Sequence, residues 1–141
     1  MTKRYHGPWF GNDAERIRFE LTARLRRLSF RRRRTAKGIE YGVPIVLGHF
    51  DDRTATIRFA SGAPTHVNVA VDGPRDSPHR YPDGHLCMWH PDDPREHRWV
   101  FDDGLAALID HVALHLYREA YWRETKEWLG PEAPHSPKAA R

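Results

Sequence analysis

The only cysteine of the chain lies in the segment YPDGHLCMW, which runs over residues 81–89. Pro-Asp-Gly is a typical turn sequence, and Cys87 follows the glycine by three residues, with His85 and His90 on either side of it. A thiol in this setting allows three roles: a small buried apolar side chain, a metal ligand, or a nucleophile presented after a turn. The neighbouring residues, and the elements that position them, bear on the choice.

The histidines of the chain do not follow the spacing of a metal site. Those around Cys87 are scattered: they are His79, His85, His90 and His97. Structural zinc sites instead pair their ligands closely, as in C-x2-C or H-x3-5-H. His111 and His115 are one helical turn apart, but the segment HVALH lacks the glutamate of a helical zinc-protease motif. The spacing therefore argues against a metal site.

A nucleophilic cysteine needs an exposed thiol, a means of raising its thiolate population, and donors for a developing oxyanion. The turn before Cys87 offers backbone N–H groups, and histidines lie nearby, although nothing identifies the base. Free cysteine is also among the residue types most often buried, and Leu86 and Met88 beside it suit a core. Long polar loops, by contrast, are usually exposed and often functional. Both interpretations of Cys87 stay open on local sequence.

Composition and charge indicate a soluble, globular chain with a basic N-terminal part. The 141 residues are 39% hydrophobic and 30% charged, and no apolar run approaches the roughly 18 residues of a membrane span. The N-terminus lacks the apolar core of a signal peptide, so we expect a cytoplasmic protein with no membrane partner. Residues 1–40 carry 12 Lys and Arg against 4 Asp and Glu, whereas residues 41–141 carry 11 against 15. The basic part suits an acidic partner, either protein or nucleic acid.

Two helices are predicted from apolar residues at helical spacing. Asn12 begins a capping-box pattern, so the first helix is expected over about 13–30. Its expected apolar stripe is Ile17, Leu21, Leu25 and Leu28. Asp102 or Asp103 is expected to cap the second helix, over about 104–129. Its expected stripe is Leu105, Leu108, Ile109, Val112, Leu116 and Ala120.

A sheet is predicted between the two helices. The run RRRRTAKG at residues 31–38 reads as a charged exit into a turn. Strands are then expected over 39–50, 54–61 and 65–72. Their short links favour an antiparallel meander, and a loop over 73–83 leads to Cys87. The predicted fold class is α+β, one domain over residues 1–141 with a Pro-rich tail from about 130.

This order of elements resembles the ubiquitin-conjugating enzyme fold: a basic helix, a meander, a loop ending in Gly-x-(Ile/Leu)-Cys, a later tryptophan and a helix. The run Gly84-His85-Leu86-Cys87 has the family's glycine-to-cysteine spacing, and Trp99 corresponds to its tryptophan at a longer spacing. The closer likeness is to bacterial members, which often accompany ThiF-like activating enzymes and include components of antiphage systems. HRYPDGHLCMW and EWLGPEAPH resemble blocks of that group, and the likeness spans about 13–135.

The resemblance implies a transferase. Cys87 would accept a ubiquitin-like modifier as a thioester from a ThiF-like activating enzyme, and would pass it to an amine of a protein target. It implies no metal and no organic cofactor, because the activating partner consumes the ATP. The family's first helix contacts the activating enzyme, which implies that Arg24, Arg27 and Arg31 meet an acidic surface there.

One family feature is missing from the sequence. Eukaryotic conjugating enzymes carry His-Pro-Asn before the cysteine, and the asparagine supports the loop or the oxyanion. Here the segment is HRYP, which is two residues nearer to Cys87 and contains no asparagine. Loss of one oxyanion donor typically costs ~10²–10³ in rate, so a substitute is expected. The candidates, in order of preference, are His79, Tyr81 and His85, whereas Asn68 lies on a predicted strand.

Other functions stay open. A non-catalytic binding module of the same fold would keep Cys87 as a packed side chain. The run RLRRLSFRRRR could neutralise several phosphates or form a solvated helix face, but no aromatic platform or nucleic-acid motif accompanies it. Nucleic acid is therefore not the expected partner. His135 in the tail is a further candidate for contact with Cys87.

Overall fold

A helix, a four-stranded sheet and a second helix follow one another along the chain. The computed structural model describes residues 5–131. Helix α1 spans Asp13–Leu25 and helix α2 spans Gly104–Thr125. The strands are β1 (Arg31–Arg34), β2 (Gly38–Ile45), β3 (Arg53–Ala60) and β4 (Ala63–Val71). The predicted α+β class is confirmed, and the order of elements is consistent with a ubiquitin-conjugating-like fold.

The sheet is antiparallel throughout, in the order β1-β2-β3-β4. Alternate residues of its strands point into the core, as period-two patterns require. The buried set includes Ile39, Tyr41, Val43, Ala55, Ile57, Phe59 and Val69. The two helices contact each other, because Thr22 Oγ1 accepts a hydrogen bond from Ala106 N (3.2 Å) and Arg26 pairs with Asp110 (2.7 Å).

The four arginines of the run RRRRTAKG form the first edge strand of the sheet, so their interpretation as an exit from the helix was wrong. The turn predicted after them is present, because Thr35 and Gly38 exchange backbone hydrogen bonds of 2.9 and 3.3 Å. Arg32 pairs with Tyr41 across β1 and β2, and its guanidinium donates to both carboxylate oxygens of Glu20 at 2.9 and 3.0 Å. Arg34 donates to the Phe10 carbonyl at 2.9 Å. Charged side chains on an edge strand also discourage pairing with other chains. A run of four arginines lacks the apolar alternation typical of a strand, so the sequence pattern did not predict β1.

Helix α1 begins as predicted, because Glu15 N donates to the Asn12 side chain at 3.1 Å. It ends at Leu25, so the expected extent to residue 30 was too long. Three of the four residues of the expected apolar stripe are not in the core, because Ile17, Leu21 and Leu25 are 54%, 47% and 74% exposed. The fourth, Leu28, lies after the helix and packs partly buried against the core. The buried residues of α1 are instead Phe19, Glu20 and Ala23.

The other boundaries differ by a few residues. Strand β2 ends at Ile45 rather than at residue 50, and α2 ends before Lys126, whose φ of 63° is left-handed. The stripe predicted for α2 is buried from Leu105 to Leu116, as expected, whereas Ala120 at its end is only half-buried. Asp103 does not cap α2 with its side chain; its carboxylate instead accepts from Val100 N at 3.1 Å. Within residues 5–131, no helix has the length and hydropathy needed to cross a bilayer. His135 lies outside the described residues.

Candidate active site

Cys87 lies at the end of a short hairpin formed by residues 79–87. Tyr81 N donates to the His85 carbonyl at 2.9 Å, and Cys87 N donates to the His79 carbonyl at 2.8 Å. These two bonds flank the antiparallel bridge between the residues at positions 80 and 86. The segment predicted as a loop is therefore paired backbone on both sides of its turn, which fixes the position of the cysteine.

The turn of the hairpin follows from its sequence. Gly84 N donates to the Tyr81 carbonyl at 2.8 Å, and Gly84 has a φ of +89°, which favours glycine. Asp83 Oδ1 accepts from His85 N at 3.0 Å and lies 2.8 Å from His85 Nδ1. Leu86 N donates to the Val69 carbonyl at 3.0 Å, so the hairpin adds to the free edge of β4. The predicted turn signal was correct, and the sheet edge supplies the rest.

Tyr81 is the predicted residue that contacts the thiol. Side chains alternate along paired strands, so His79, Tyr81 and Cys87 share one face of the hairpin. Burial raises the pKa of Cys87, a hydrogen bond from the Tyr81 hydroxyl lowers it, and the charge of Asp93 raises it. Burial and the contact with Cys87 in turn raise the pKa of Tyr81 to about 12. Tyr81 therefore stays a hydrogen-bond donor to the sulfur at neutral pH.

An open cleft of about 320 Å³ lies against Cys87. Its lining includes His79, Asp93, His111, His115 and Trp128. The His79 ring lies 4.5 Å from the Trp128 ring, and His79 has a left-handed φ of 62°. Burial lowers the pKa of His111, so this imidazole is neutral at pH 7 and can accept a proton. The cleft offers space beside the thiol for a reacting partner.

The other predicted residues are placed differently. His85 supports the turn through Asp83. Asn68 lies on β4 opposite Arg58. Trp99 is buried, and its indole N–H donates to the Gly104 carbonyl at 2.9 Å. Among residues 5–131, no three His, Cys, Asp or Glu side chains are grouped as a metal site requires.

The three arginines assigned to a partner are not equivalent. Arg24 Nη2 lies 3.4 Å from Glu20 Oε1, and its guanidinium lies 4.7 Å from the centre of the Phe30 ring. Arg27 follows α1 with a left-handed φ of 56°. Arg27 and Arg31 are both exposed. Arg24 thus also serves the fold, whereas the other two present their charge to solvent.

Sequence reasoning missed the residue that attaches the hairpin to α2. Arg80 donates from Nε and Nη2 to the two carboxylate oxygens of Glu119, at 2.6 and 2.7 Å. Glu119 is fully buried. It follows Leu116 on the apolar stripe of α2, and a carboxylate on a buried stripe requires a buried cation. The carboxylate on the apolar stripe was visible in the sequence, but no sequence pattern pairs Glu119 with Arg80, 39 positions away.

The fold and the site together define a class of protein: an α+β chain of the ubiquitin-conjugating type, with a cysteine presented between sheet and second helix. Residues 17–136 match the family described as Type II CBASS E2 protein, and the chain belongs to this family. The predicted resemblance to bacterial ubiquitin-conjugating-like proteins is confirmed. Comparisons with curated proteins and with solved structures find no significant match. Family membership supports a role in ubiquitin-like conjugation within a bacterial antiviral system.

Proposed function

We propose that the protein is a conjugating transferase that carries a ubiquitin-like modifier on Cys87 as a thioester. The observation that supports this role is the presentation of Cys87: a hairpin anchored to β4 holds the thiol beside an open cleft, with the Tyr81 hydroxyl on its sulfur. A packed structural cysteine needs neither a cleft nor a hydroxyl donor.

The proposed reaction has two transfers. The Cys87 thiolate attacks the thioester carbonyl of the modifier on the activating enzyme; a new C–S bond forms, and the enzyme's thiolate leaves. An amine of the target then attacks the carbonyl on Cys87, forming an amide as the Cys87 thiolate leaves and the amine loses a proton. Burial raises the pKa of Cys87, so the first transfer requires a proton acceptor. The neutral imidazole of His111 in the same cleft can take that proton.

Tyr81 is proposed to replace the asparagine of the eukaryotic enzymes. Its hydroxyl donates its one proton to the sulfur before attack; as the sulfur bonds to the carbonyl carbon and negative charge moves to the carbonyl oxygen, this donor becomes available to that oxygen. His79 is proposed to support the loop, because its carbonyl accepts the Cys87 N–H. His85 is assigned to the turn through its contacts with Asp83.

The activating partner is proposed to be a ThiF-like enzyme, in keeping with the family. Arg27 and Arg31 present unburied charge near the end of α1 and the start of β1, where an acidic surface could pair with them. Arg24 is shared with Glu20 and contributes less to such a contact.

The proposal is tested by mixing the protein with a ThiF-like activating enzyme, its modifier and ATP. Wild type is expected to form an adduct that a reducing thiol removes. Cys87→Ser is expected to form an ester that resists the thiol, and Cys87→Ala none. All three proteins are compared by thermal melting, so that loss of the adduct is not confused with loss of the fold. If wild type and Cys87→Ala give the same products, Cys87 is not the acceptor.

A second function has one observation in its favour: Cys87 is only 6% exposed. In a non-catalytic module of the same fold, the thiol would be a packed side chain and would resist alkylation in the native protein. The modifier assay separates the two functions, because a module of this kind forms no Cys87 adduct with any activating enzyme.

A further inference from the structure

Arg80 is bonded to three separate parts of the molecule. Its Nη1 donates to the Gly84 carbonyl at 2.6 Å, inside the turn of the hairpin. Its Nη2 donates to the Pro74 carbonyl at 3.3 Å, in the segment that follows β4. The bidentate pair with Glu119 joins both to α2. The Arg80 side chain is 5% exposed, so the whole guanidinium is committed to these bonds.

These bonds act on the backbone that presents the thiol. Arg80 lies between His79, whose carbonyl accepts the Cys87 N–H, and Tyr81, whose hydroxyl contacts the sulfur. Its side chain points to the face of the hairpin opposite Tyr81 and Cys87. A planar guanidinium with several bonds in fixed directions restrains position and orientation together, which a single bond does not.

We propose that Arg80 is a positioning residue, which holds the hairpin against α2 so that the Tyr81 hydroxyl stays on the Cys87 sulfur. Only the role of Cys87 as an acceptor thiol is taken from the proposed function. The positioning role itself is supported by geometry, because one buried side chain connects the turn, the preceding segment and the helix.

The test measures alkylation of Cys87 by iodoacetamide, in which the single cysteine makes the signal unambiguous. Tyr81→Phe is expected to slow alkylation roughly fivefold at pH 7.5 in the wild-type background, since it removes a hydrogen bond to the thiolate. In the Arg80→Met background, the same change is expected to alter the rate by less than about twofold, because the hydroxyl no longer lies on the sulfur. Equal slowing in both backgrounds overturns the proposal.

Two further variants keep the test decisive. Arg80→Met leaves the Glu119 carboxylate buried without its main partner; if that variant fails to fold, the double change Arg80→Met/Glu119→Met provides the background instead. Arg123→Met is the matched control, because Arg123 donates to Glu119 (3.5 Å) and to the Pro74 carbonyl (3.1 Å) but has no bond to the turn. The Tyr81→Phe effect is expected to persist in it. Loss of the effect in this control also overturns the proposal.

The alkylation assay needs no activating enzyme, so it is independent of the proposed transferase activity. If the Tyr81→Phe effect depends on Arg80 but no modifier adduct forms, the transferase is refuted and the positioning role stands. If an adduct forms but the Tyr81→Phe effect does not depend on Arg80, the positioning role is refuted and the transferase stands.

Discussion

Glu119 shows how a charge is kept inside this small protein. Burial alone would raise the pKa of its carboxyl, but the hydrogen bonds from Arg80, with the His115 imidazole 3.3 Å away, outweigh burial and lower that pKa to about 2. Removing one partner of such a buried pair commonly costs about 3–5 kcal/mol, because the other charge stays buried. The site is therefore attached to the helix by an interaction that works only while both partners are present and charged.

The lowered pKa of Glu119 predicts a specific acid sensitivity. The folded value is about 2 and the ordinary value is 4.5, so the carboxylate contributes its stability above pH 4.5 and loses it as the pH falls through 2. This difference corresponds to about 3 kcal/mol in the free energy of unfolding. Glu119→Gln is expected to lower stability at pH 7 and to remove most of this acid dependence.

Urea titrations followed by circular dichroism at pH 7, 4.5 and 2.5 check this prediction. Glu124→Gln is the control, because Glu124 is exposed on the same helix. Its stability is expected to fall with acid in parallel with wild type. Parallel acid curves for wild type and Glu119→Gln would mean that the Arg80–Glu119 pair does not carry the acid dependence.

At the scale of elements, α1 and β1 show where sequence patterns mislead. Periodicity identified α1, but it selected Ile17 and Leu21 as core when both are exposed. Apolar residues often lie at the surface, so their spacing finds a helix more reliably than it finds the buried face. The true inner face contains Glu20, whose burial depends on Arg32 and on the hydroxyl of Tyr41. Those partners lie in other elements, which local pattern cannot supply.

The hairpin that presents Cys87 could be predicted in part, because some of its signals are local in the sequence. Its Pro-Asp-Gly turn is a local signal, and the sequence located both the turn and Cys87 correctly. The bond from Leu86 to Val69 and the pair from Arg80 to Glu119 are tertiary contacts, which no spacing encodes. The sequence therefore predicted the reactive residue and the turn before it, but not the contacts that hold them in place.

Two neighbouring arginines of β1 test whether Arg32 neutralises the buried Glu20. Arg32→Ala is expected to lower the free energy of unfolding by about 2 kcal/mol, because it removes two bonds to the 1%-exposed Glu20, which keeps Arg16 at 3.2 Å as a partner. Arg31→Ala, in the same strand with an exposed side chain, is expected to change it by less than about 0.5 kcal/mol. Urea midpoints at pH 7 measure both. If the two changes cost the same, Arg32 does not neutralise Glu20 in solution.

Over the whole molecule, the charge asymmetry of the sequence is partly cancelled by folding. Residues 1–40 carry the basic excess, yet several of its arginines bond within the protein. These contacts are Arg26 with Asp110, Arg32 with Glu20, Arg33 with Glu40, and Arg34 with the Phe10 carbonyl. A basic run read along the chain therefore overstates the free positive charge that a partner would meet.

This internal pairing sets an expectation for nucleic acid. If all four arginines of β1 neutralised phosphates of a single strand, the logarithm of affinity would fall with the logarithm of salt at a slope of about −3. Arg32 and Arg34 instead bond within the fold and Arg33, although its side chain is 73% exposed, is paired with Glu40, so fewer than four charges of the strand are available to phosphates. We expect a slope shallower than about −2 for a labelled 20-nucleotide single strand.

Fluorescence anisotropy between 50 and 300 mM NaCl measures this slope, and Arg31→Gln/Arg33→Gln is the informative variant. Because neither arginine contacts the buried Glu20, this change is expected to keep the fold and to alter affinity by no more than about threefold at 150 mM salt. A steep slope abolished by the double change would instead identify the outer face of β1 as a nucleic-acid surface. In that event the basic segment would serve a partner other than an activating enzyme. The thiol chemistry of Cys87 would not be affected by that result, because β1 and the hairpin lie at opposite edges of the sheet.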